Sequence, residues 1–274
     1  MKGNKTIINE VNMTTVTRES VPFWARFFLK FADVTIFNAP GRPFMKVAWA
    51  VDLHKIFTLF IIYGMMSYYS NFSVGAWVFL GLHGIYGYCW LIKDFGFRDH
   101  QLENKLSFLG FINLYVLLVA WYWLMPWLFI SRAIEPSGLI VFIAIAIHTL
   151  GVVTMVAGDG QRHWILKYRT KPGLITEGMY RYTRNPNYLG ELMLYAAYAL
   201  LANHWIAWVI YGYMAVYFLA RMKGKDNAIS RHPGWKEYKA QSGMLIPWAL
   251  LNGRAVFDRM SKNDKKIAEY QHEK

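Results

Sequence analysis

A single cysteine, Cys89, occurs in 274 residues, so this chain can build neither an intramolecular disulfide nor a cysteine-based metal site. Charge is also scarce: 17% of residues are charged, against 55% hydrophobic and 18% aromatic. That balance argues against an ordinary soluble domain and suits a polytopic membrane protein. Acidic residues are the scarcer sign, 17 against 30 Lys and Arg, which leaves a formal net charge of +13. No internal repeat or separate soluble domain stands out. The polar N-terminus lacks the apolar core of a cleavable signal peptide.

What the chain does have is long apolar runs. Leu106–Ile130 holds 25 residues whose only strong polar group is Asn113, and Gly138–Ala157 holds 20 with one histidine, His148. About 20 such residues, rising about 1.5 Å each, cross a bilayer core. Further spans are expected at Val47–Tyr69, Val74–Ile92, Tyr188–Ala202 and Ile206–Ala220. The last two are short and are parted only by Asn203-His204-Trp205, which predicts a tight helical hairpin. The expected class is an all-α integral membrane protein of about six spans.

Charge placement agrees with that count. One side receives the first 46 residues with 7 Lys and Arg, residues 93–105 with 3, residues 158–187 with 6, and the segment from Arg221 with 12. The other side receives only Arg132, and Lys55 falls inside the first span. The positive-inside rule then places both termini in the cytoplasm, of a bacterial inner membrane or of the endoplasmic reticulum. Facing anionic headgroups explains the net charge and makes membrane lipids the expected partners. No aromatic-basic motif for nucleic acid lies outside the membrane-flanking loops, so no nucleic-acid partner is expected.

Val21–Phe31 mixes aromatics with Arg26 and Lys30, as an interfacial helix does. Lys262–Lys274 reads as a solvated tail. The implied organisation is a cytoplasmic N-terminal segment at 1–46, four spans over 47–157, a polar-rich core with the hairpin over 158–248, and a charged tail at 249–274.

Three polar segments interrupt the apolar pattern. The first is Gly158-Asp159-Gly160-Gln161-Arg162 with Lys167, Arg169 and Lys171, where cations are available for phosphate. The second is Tyr180–Glu191. Pro186 marks a helix start with Asn185 near the N-cap, and free N–H groups there attract anions. Asn187 and Glu191 are four apart and share a face, which puts a carboxylate one turn inside an apolar helix. Intramembrane carboxylates are costly and usually functional. The structural alternative is a capped helix with Glu191 paired to an arginine. The third segment runs from Arg221-Met222-Lys223-Gly224-Lys225-Asp226 through Pro233-Gly234-Trp235 and Tyr238 to Ile246-Pro247-Trp248. Trp235 can stack on a flat ring and Tyr238 can donate to phosphate or ribose; an interfacial helix with an aromatic anchor is the alternative.

Together these segments, over roughly Gly158–Trp248, resemble one superfamily: the membrane steroid and sterol reductases with the isoprenylcysteine and phospholipid methyltransferases. Arg184-Asn185-Pro186-Asn187-Tyr188-Leu189-Gly190-Glu191 is similar to its R-H/N-P-N-Y-x-G-E/D signature, and Glu191 resembles the reductase branch. Asp159-x-Gln161-Arg162 followed by Lys167 and Arg169 also resembles that branch. The Glu-Glu pair usual in the methyltransferases is replaced by Lys225-Asp226. The spacing from Pro233 to Pro247 departs from the vertebrate steroid 5α-reductases.

The resemblance implies bound NADPH. Arg162, Lys167 and Arg169 would meet its phosphates, and Arg184, Asn187, Tyr188 and Glu191 would surround the nicotinamide ribose and carboxamide. Arg221, Asp226, Trp235 and Tyr238 would close the other side, with Asp159, Gln161, Tyr182 and Asn185 completing the set. It also implies a tyrosine proton donor on the second helix, Tyr86 or Tyr88, with an acidic partner on the first. The expected Glu is absent there; Asp52 or His54 is the substitute. His148 is expected in a helix–helix hydrogen bond.

The implied activity is NADPH-dependent reduction of a carbon–carbon double bond in a lipophilic steroid, sterol or isoprenoid-like substrate drawn from the bilayer. An S-adenosylmethionine-dependent methyltransferase and a non-enzymatic lipid-binding protein are the alternatives. No metal is expected.

Overall fold

The computed structural model describes residues 18–170 and 173–248. The first 17 residues, Lys171 and the charged tail 249–274 lie outside the described residues. The described chain is mostly helical, with one short antiparallel ribbon, β1 (Pro43–Lys46) against β2 (Lys105–Ser107), that the sequence did not suggest.

Helix α1 (Phe23–Ala32) is the expected amphipathic segment. It buries Ala25 and Ala32 and leaves Phe23, Phe27 and Phe31 exposed. Helix α2 spans Val47–Tyr68. Helices α3 (Val74–Phe79) and α4 (Ile85–Phe97) form one continuous rod through a π-helical turn, started by the Ser73 hydroxyl, which accepts from the Ala76 N–H. Helices α5 (Phe108–Leu114) and α6 (Trp121–Ser131), joined by a second π-helical turn, bend by 46° instead of running straight as one span. Asn113, the lone polar group of that run, donates to the Thr35 carbonyl at 2.7 Å.

Helix α7 (Gly138–Tyr168) is 31 residues long. The expected boundary at Ala157 is therefore corrected: the helical bonding continues, and Asp159, Gln161 and Arg162 stand on a helix rather than in a loop. Helix α8 (Pro186–Ala202) and helix α9 (Trp205–Ile229) form the expected hairpin. Asn203 turns the chain in the left-handed region, and the His204 ring accepts from the Ile206 N–H to start α9. The expected end of α9 at Ala220 is also corrected, since Arg221, Lys225 and Asp226 belong to its last turns. Helix α10 (Trp235–Gln241) follows.

Four helical stretches are long and apolar enough to cross a bilayer, and a fifth if the bent α5–α6 pair is one span. Exposed Leu139, Phe142, Leu150 and Val153 on α7 are what an integral membrane protein presents to lipid.

The most extensive helix contact is α7 on α8, and glycine makes it possible. A Cβ at Gly190 would lie 2.5 Å from the Met155 backbone nitrogen, and one at Gly151 would lie 2.7 Å from the Gly190 carbonyl oxygen. Small residues that let helix backbones meet are the membrane substitute for hydrophobic drive. Gly190→Val is expected to destabilise by about 1–3 kcal/mol or more through overpacking. Gly64, with nothing within 4 Å of its Cβ position, is the control. Gly64→Ala is expected to be neutral or slightly stabilising. Thermal melting of both variants in mild detergent reads the difference.

Candidate functional site

The polar segments converge on a cavity of about 600 Å³ at one end of the bundle. Its basic lining is Arg162, Arg184, Arg221, Lys225 and Arg231, with Asp99 the only carboxylate among the described residues. Arg162 is neutralised by Asp99 at 2.8 Å and Arg184 by Asp226 at 3.0 Å. Among the described residues, Arg221, Lys225 and Arg231 have no carboxylate partner, so the cavity favours an anion.

A second cavity, about 230 Å³, lies deeper and is lined by Glu191, Lys55, Lys93, Tyr122 and Tyr195 with apolar Val51, Leu114, Leu118 and Phe218. The two share Asp99, Gln101, Asn187, Tyr188 and Arg221 on their walls. Arg221 is fixed at that junction. It donates to the Tyr188 hydroxyl at 2.9 Å, to the Tyr217 hydroxyl at 3.4 Å and to Gln101. Asn187 stands beside it with a buried Oδ1 that lacks a partner.

The signature around Pro186 divides into two jobs. Its first half is a lock. Arg184, 5% exposed, pairs through Nε and Nη2 with both carboxylate oxygens of Asp226, and its Nη1 reaches the Ser242 carbonyl. Its guanidinium lies 5.4 Å from the Trp235 ring centre. The Arg184 N–H donates to the Gly243 carbonyl, whose own N–H donates to Tyr182. Asn185 sits at the N-cap position, but its amide donates to the Met244 carbonyl at 2.7 Å instead of capping α8. Tyr238 donates to the Tyr180 carbonyl at 2.8 Å. Arg184, Asn185, Asp226, Trp235 and Tyr238 thus tie the chain before α8 to the chain after α10. The second half, Asn187, Tyr188 and Glu191, lies along the deep cavity.

Among the described residues Glu191 takes no arginine partner, contrary to the structural alternative, and it accepts a hydrogen bond from the Tyr195 hydroxyl at 3.4 Å.

The basic stretch is divided in the same way. Gln161 ties down a loop: its Nε2 donates to the Glu177 carbonyl and its Oε1 accepts from the Met179 N–H, both at 2.8 Å. Asp159 pairs with Lys93 at 2.6 Å, across from α7 to α4. Arg169 donates to the Leu174 carbonyl at 2.8 Å and closes its own loop. Lys167 is exposed over the Trp164 and Tyr168 rings and borders a third cavity, about 340 Å³, with Arg162, Asp99 and Asp159. Tyr182 carries the Arg181 guanidinium over its ring at 5.6 Å.

The tyrosine expectation is altered. Tyr86 is fully buried, its hydroxyl 3.7 Å from the Met155 sulfur, and Tyr88 lies outside both cavity walls. Neither receives a bond from Asp52 or His54. Asp52 lies 3.5 Å from Arg98, and His54 stacks on Trp123 at 4.6 Å. The tyrosines at the deep cavity are Tyr122, Tyr188, Tyr195 and Tyr217, from α6, α8 and α9. His148 makes the expected inter-helix bond, 3.1 Å to the Tyr198 hydroxyl.

Sequence reading missed Lys55, Lys93, Asp99, Gln101 and Tyr195 as wall residues. For Lys55 a signal existed, a lysine inside a span; the others have none without the fold.

Asp99 borders all three cavities. Burial works to raise its carboxyl pKa, but the Gln101 N–H and the Arg162 guanidinium outweigh it and hold the carboxyl below its ordinary range. A depressed carboxylate stabilises the fold above its unfolded value, about 4, and loses that contribution as pH falls through the lower folded value. Asp99→Asn is therefore expected to flatten the acid limb of a melting-temperature profile between about pH 5 and 3. Arg184→Ala is expected to cost about 3–5 kcal/mol, because it strands the buried Asp226 carboxylate. Arg184→Met with Asp226→Leu should recover most of that loss in the same melting assay.

Two comparisons bear on these residues. An uncharacterized protein of Schizosaccharomyces pombe is 28% identical over 74 residues, which is 27% of this chain and 26% of that protein's length. Residues 92–241 match the family described as a protein of unknown function, DUF1295. That stretch holds Lys93, the signature and the Arg184–Asp226 lock, and covers more than half of the sequence. The chain belongs to the DUF1295 family.

Proposed function

We propose that this protein is a membrane reductase that uses NADPH to saturate a carbon–carbon double bond in a lipophilic steroid, sterol or isoprenoid-like molecule. In this reading the bundle crosses the membrane about six times, with α8 as the short sixth crossing. Both termini and the large cationic cavity face the cytoplasm, in a bacterial inner membrane or the endoplasmic reticulum. The observation that carries the reading is the meeting of two unlike cavities at Asn187, Tyr188 and Arg221. The larger is cationic and lies within the range of about 300–1,000 Å³ usual for small-molecule sites. The smaller sets aromatic and apolar side chains beside three carboxylates, Asp99, Asp159 and Glu191.

The residues present fit a nicotinamide dinucleotide. Arg221, Lys225 and Arg231 supply cations for phosphates, and Tyr180 supplies an aromatic wall. The partnerless Asn187 Oδ1 calls for an N–H donor, which a carboxamide has. When bound, a reduced nicotinamide supplies hydride. This chain's part is to hold the alkene near the junction, keep water out and deliver a proton. One alkene carbon takes the hydride, and the π pair then accepts a proton at the other carbon. Tyr195, once its O–H turns from Glu191 toward the alkene, is placed to give that proton, and water from the large cavity restores it. Tyr195 and Glu191 thus take over the role first expected of Tyr86 or Tyr88 with Asp52 or His54.

Purified protein in mild detergent should be stabilised by NADPH and not by S-adenosylmethionine, with NADH run alongside. The gain is about 2.7 kcal/mol at a hundredfold excess over the dissociation constant. Arg221→Ala should reduce the NADPH shift, a cleaner test than Arg184→Ala because Arg221 bonds Tyr188, Tyr217 and Gln101 and not the Arg184–Asp226 pair, whereas Lys225 donates to the Arg184 carbonyl. Stabilisation by S-adenosylmethionine alone would replace this reading with a methyltransferase.

A further inference from the structure

Lys55 stands in the middle of α2, 7% exposed, on the wall of the deep cavity. Its ammonium makes no ion pair and no hydrogen bond among the described residues. Around it are aromatic faces: the ring centres of Tyr86, Tyr122 and Trp90 lie 4.4, 5.8 and 6.0 Å from Nζ. Its backbone is fixed, because α4 passes so close that a Cβ at Gly87 would lie 2.5 Å from the Lys55 carbonyl oxygen. The nearby Lys93 shows the contrast, since it is buried to a similar degree and holds Asp159 at 2.6 Å.

An ammonium taken out of water needs an oxygen partner, and ring faces replace only part of its hydration. Two of the three rings, Trp90 and Tyr122, line the same cavity as Lys55, and Glu191 stands on its wall. Leu114, Leu118, Val119 and Phe218 make much of the remaining wall apolar. The matching ligand is a lipophile with one acceptor oxygen.

We propose that Lys55 is the residue that receives the substrate's oxygen, and that the substrate is a lipophilic carbonyl compound bound with that oxygen at Nζ. This rests on the reductase reading for its chemistry, in which the double bond is conjugated to the carbonyl. Hydride at the β-carbon moves the π pair toward the carbonyl and places negative charge on its oxygen, where the Lys55 ammonium holds it by hydrogen bonding. The proton from Tyr195 then arrives at the α-carbon as the carbonyl re-forms, and Lys55 keeps its own protons. A fixed cation aimed at a developing oxyanion is effective in a site that excludes water. Lys55 lies outside the residues matched by the DUF1295 family, so this assignment is read from the chain's own α2.

The test uses two probes that differ only in the oxygen, a dodecyl-substituted cyclohexenone and the matching dodecylcyclohexene. Binding to the full chain in detergent is followed by tryptophan fluorescence, without cofactor. Wild type should bind the ketone at least about tenfold more tightly, as expected for a hydrogen bond to a charged donor. Lys55→Met should bind both probes equally while it melts no lower than wild type and keeps its NADPH shift. Equal affinities in wild type, or a preference that survives in Lys55→Met, overturns the proposal. A ketone preference that Lys55→Met abolishes, in a protein that NADPH does not stabilise, upholds the oxygen site and removes the reductase reading.

Discussion

The polar end of the bundle depends on one buried ion pair, Arg184 with Asp226. Arg184 precedes α8 and Asp226 closes α9, so the pair ties together two helices whose other ends meet at the Asn203 turn. Ser242, Gly243 and Met244 are drawn onto the same strip of chain through backbone bonds. A guanidinium can do this because its planar fork takes a carboxylate on one side and a carbonyl on another at once. Removing either partner leaves a buried charge alone, which is why the interaction is structural even though its residues sit in a motif that reads as ligand-binding.

With the lock closed, the rest of the motif acquires direction. Pro186 opens α8 close against α7, where a Cβ at Gly158 would touch Pro186 at 3.0 Å and the Asn187 nitrogen at 3.2 Å. That close approach, repeated at Gly151 and Gly190, sets the face on which Asn187 and Glu191 stand. Arg221, one turn before Asp226 on α9, then meets Tyr188 across the junction of the two cavities. The same helix therefore holds the lock and lines the site, so a loss of packing at the lock also disturbs the cavity.

The charges of the deep cavity are arranged unevenly. Lys93 and Asp159 form a direct pair, Arg221 is held by hydroxyl and amide oxygens with donors to spare, and among the described residues Glu191 and Lys55 have no opposite charge within salt-bridge reach. Unpaired charges inside an apolar bundle are expensive, and retention of one of each sign on the same small cavity is the signature of a place where charge develops or a polar ligand sits.

How much of this the sequence alone determined follows from the range of the forces involved. Apolar runs, caps and the Asn203-His204 break act over a few residues, so the helices, the short hairpin, the amphipathic α1 and the special character of residues 184–191 were legible. Helix ends were not. Asp159 and Arg162 stay helical because Lys93 and Asp99 partner them from α4 and the following loop, and Asp226 stays helical against Arg184. Tertiary structure alone decided which members of one motif form the lock and which face a cavity, since Arg184 and Asn187 are equally polar as text. It also put Tyr195 on the wall of the deep cavity and Tyr86 off it, and gave Lys55 its aromatic surround, because those contacts join helices far apart in the chain and depend on where glycines let the helices meet.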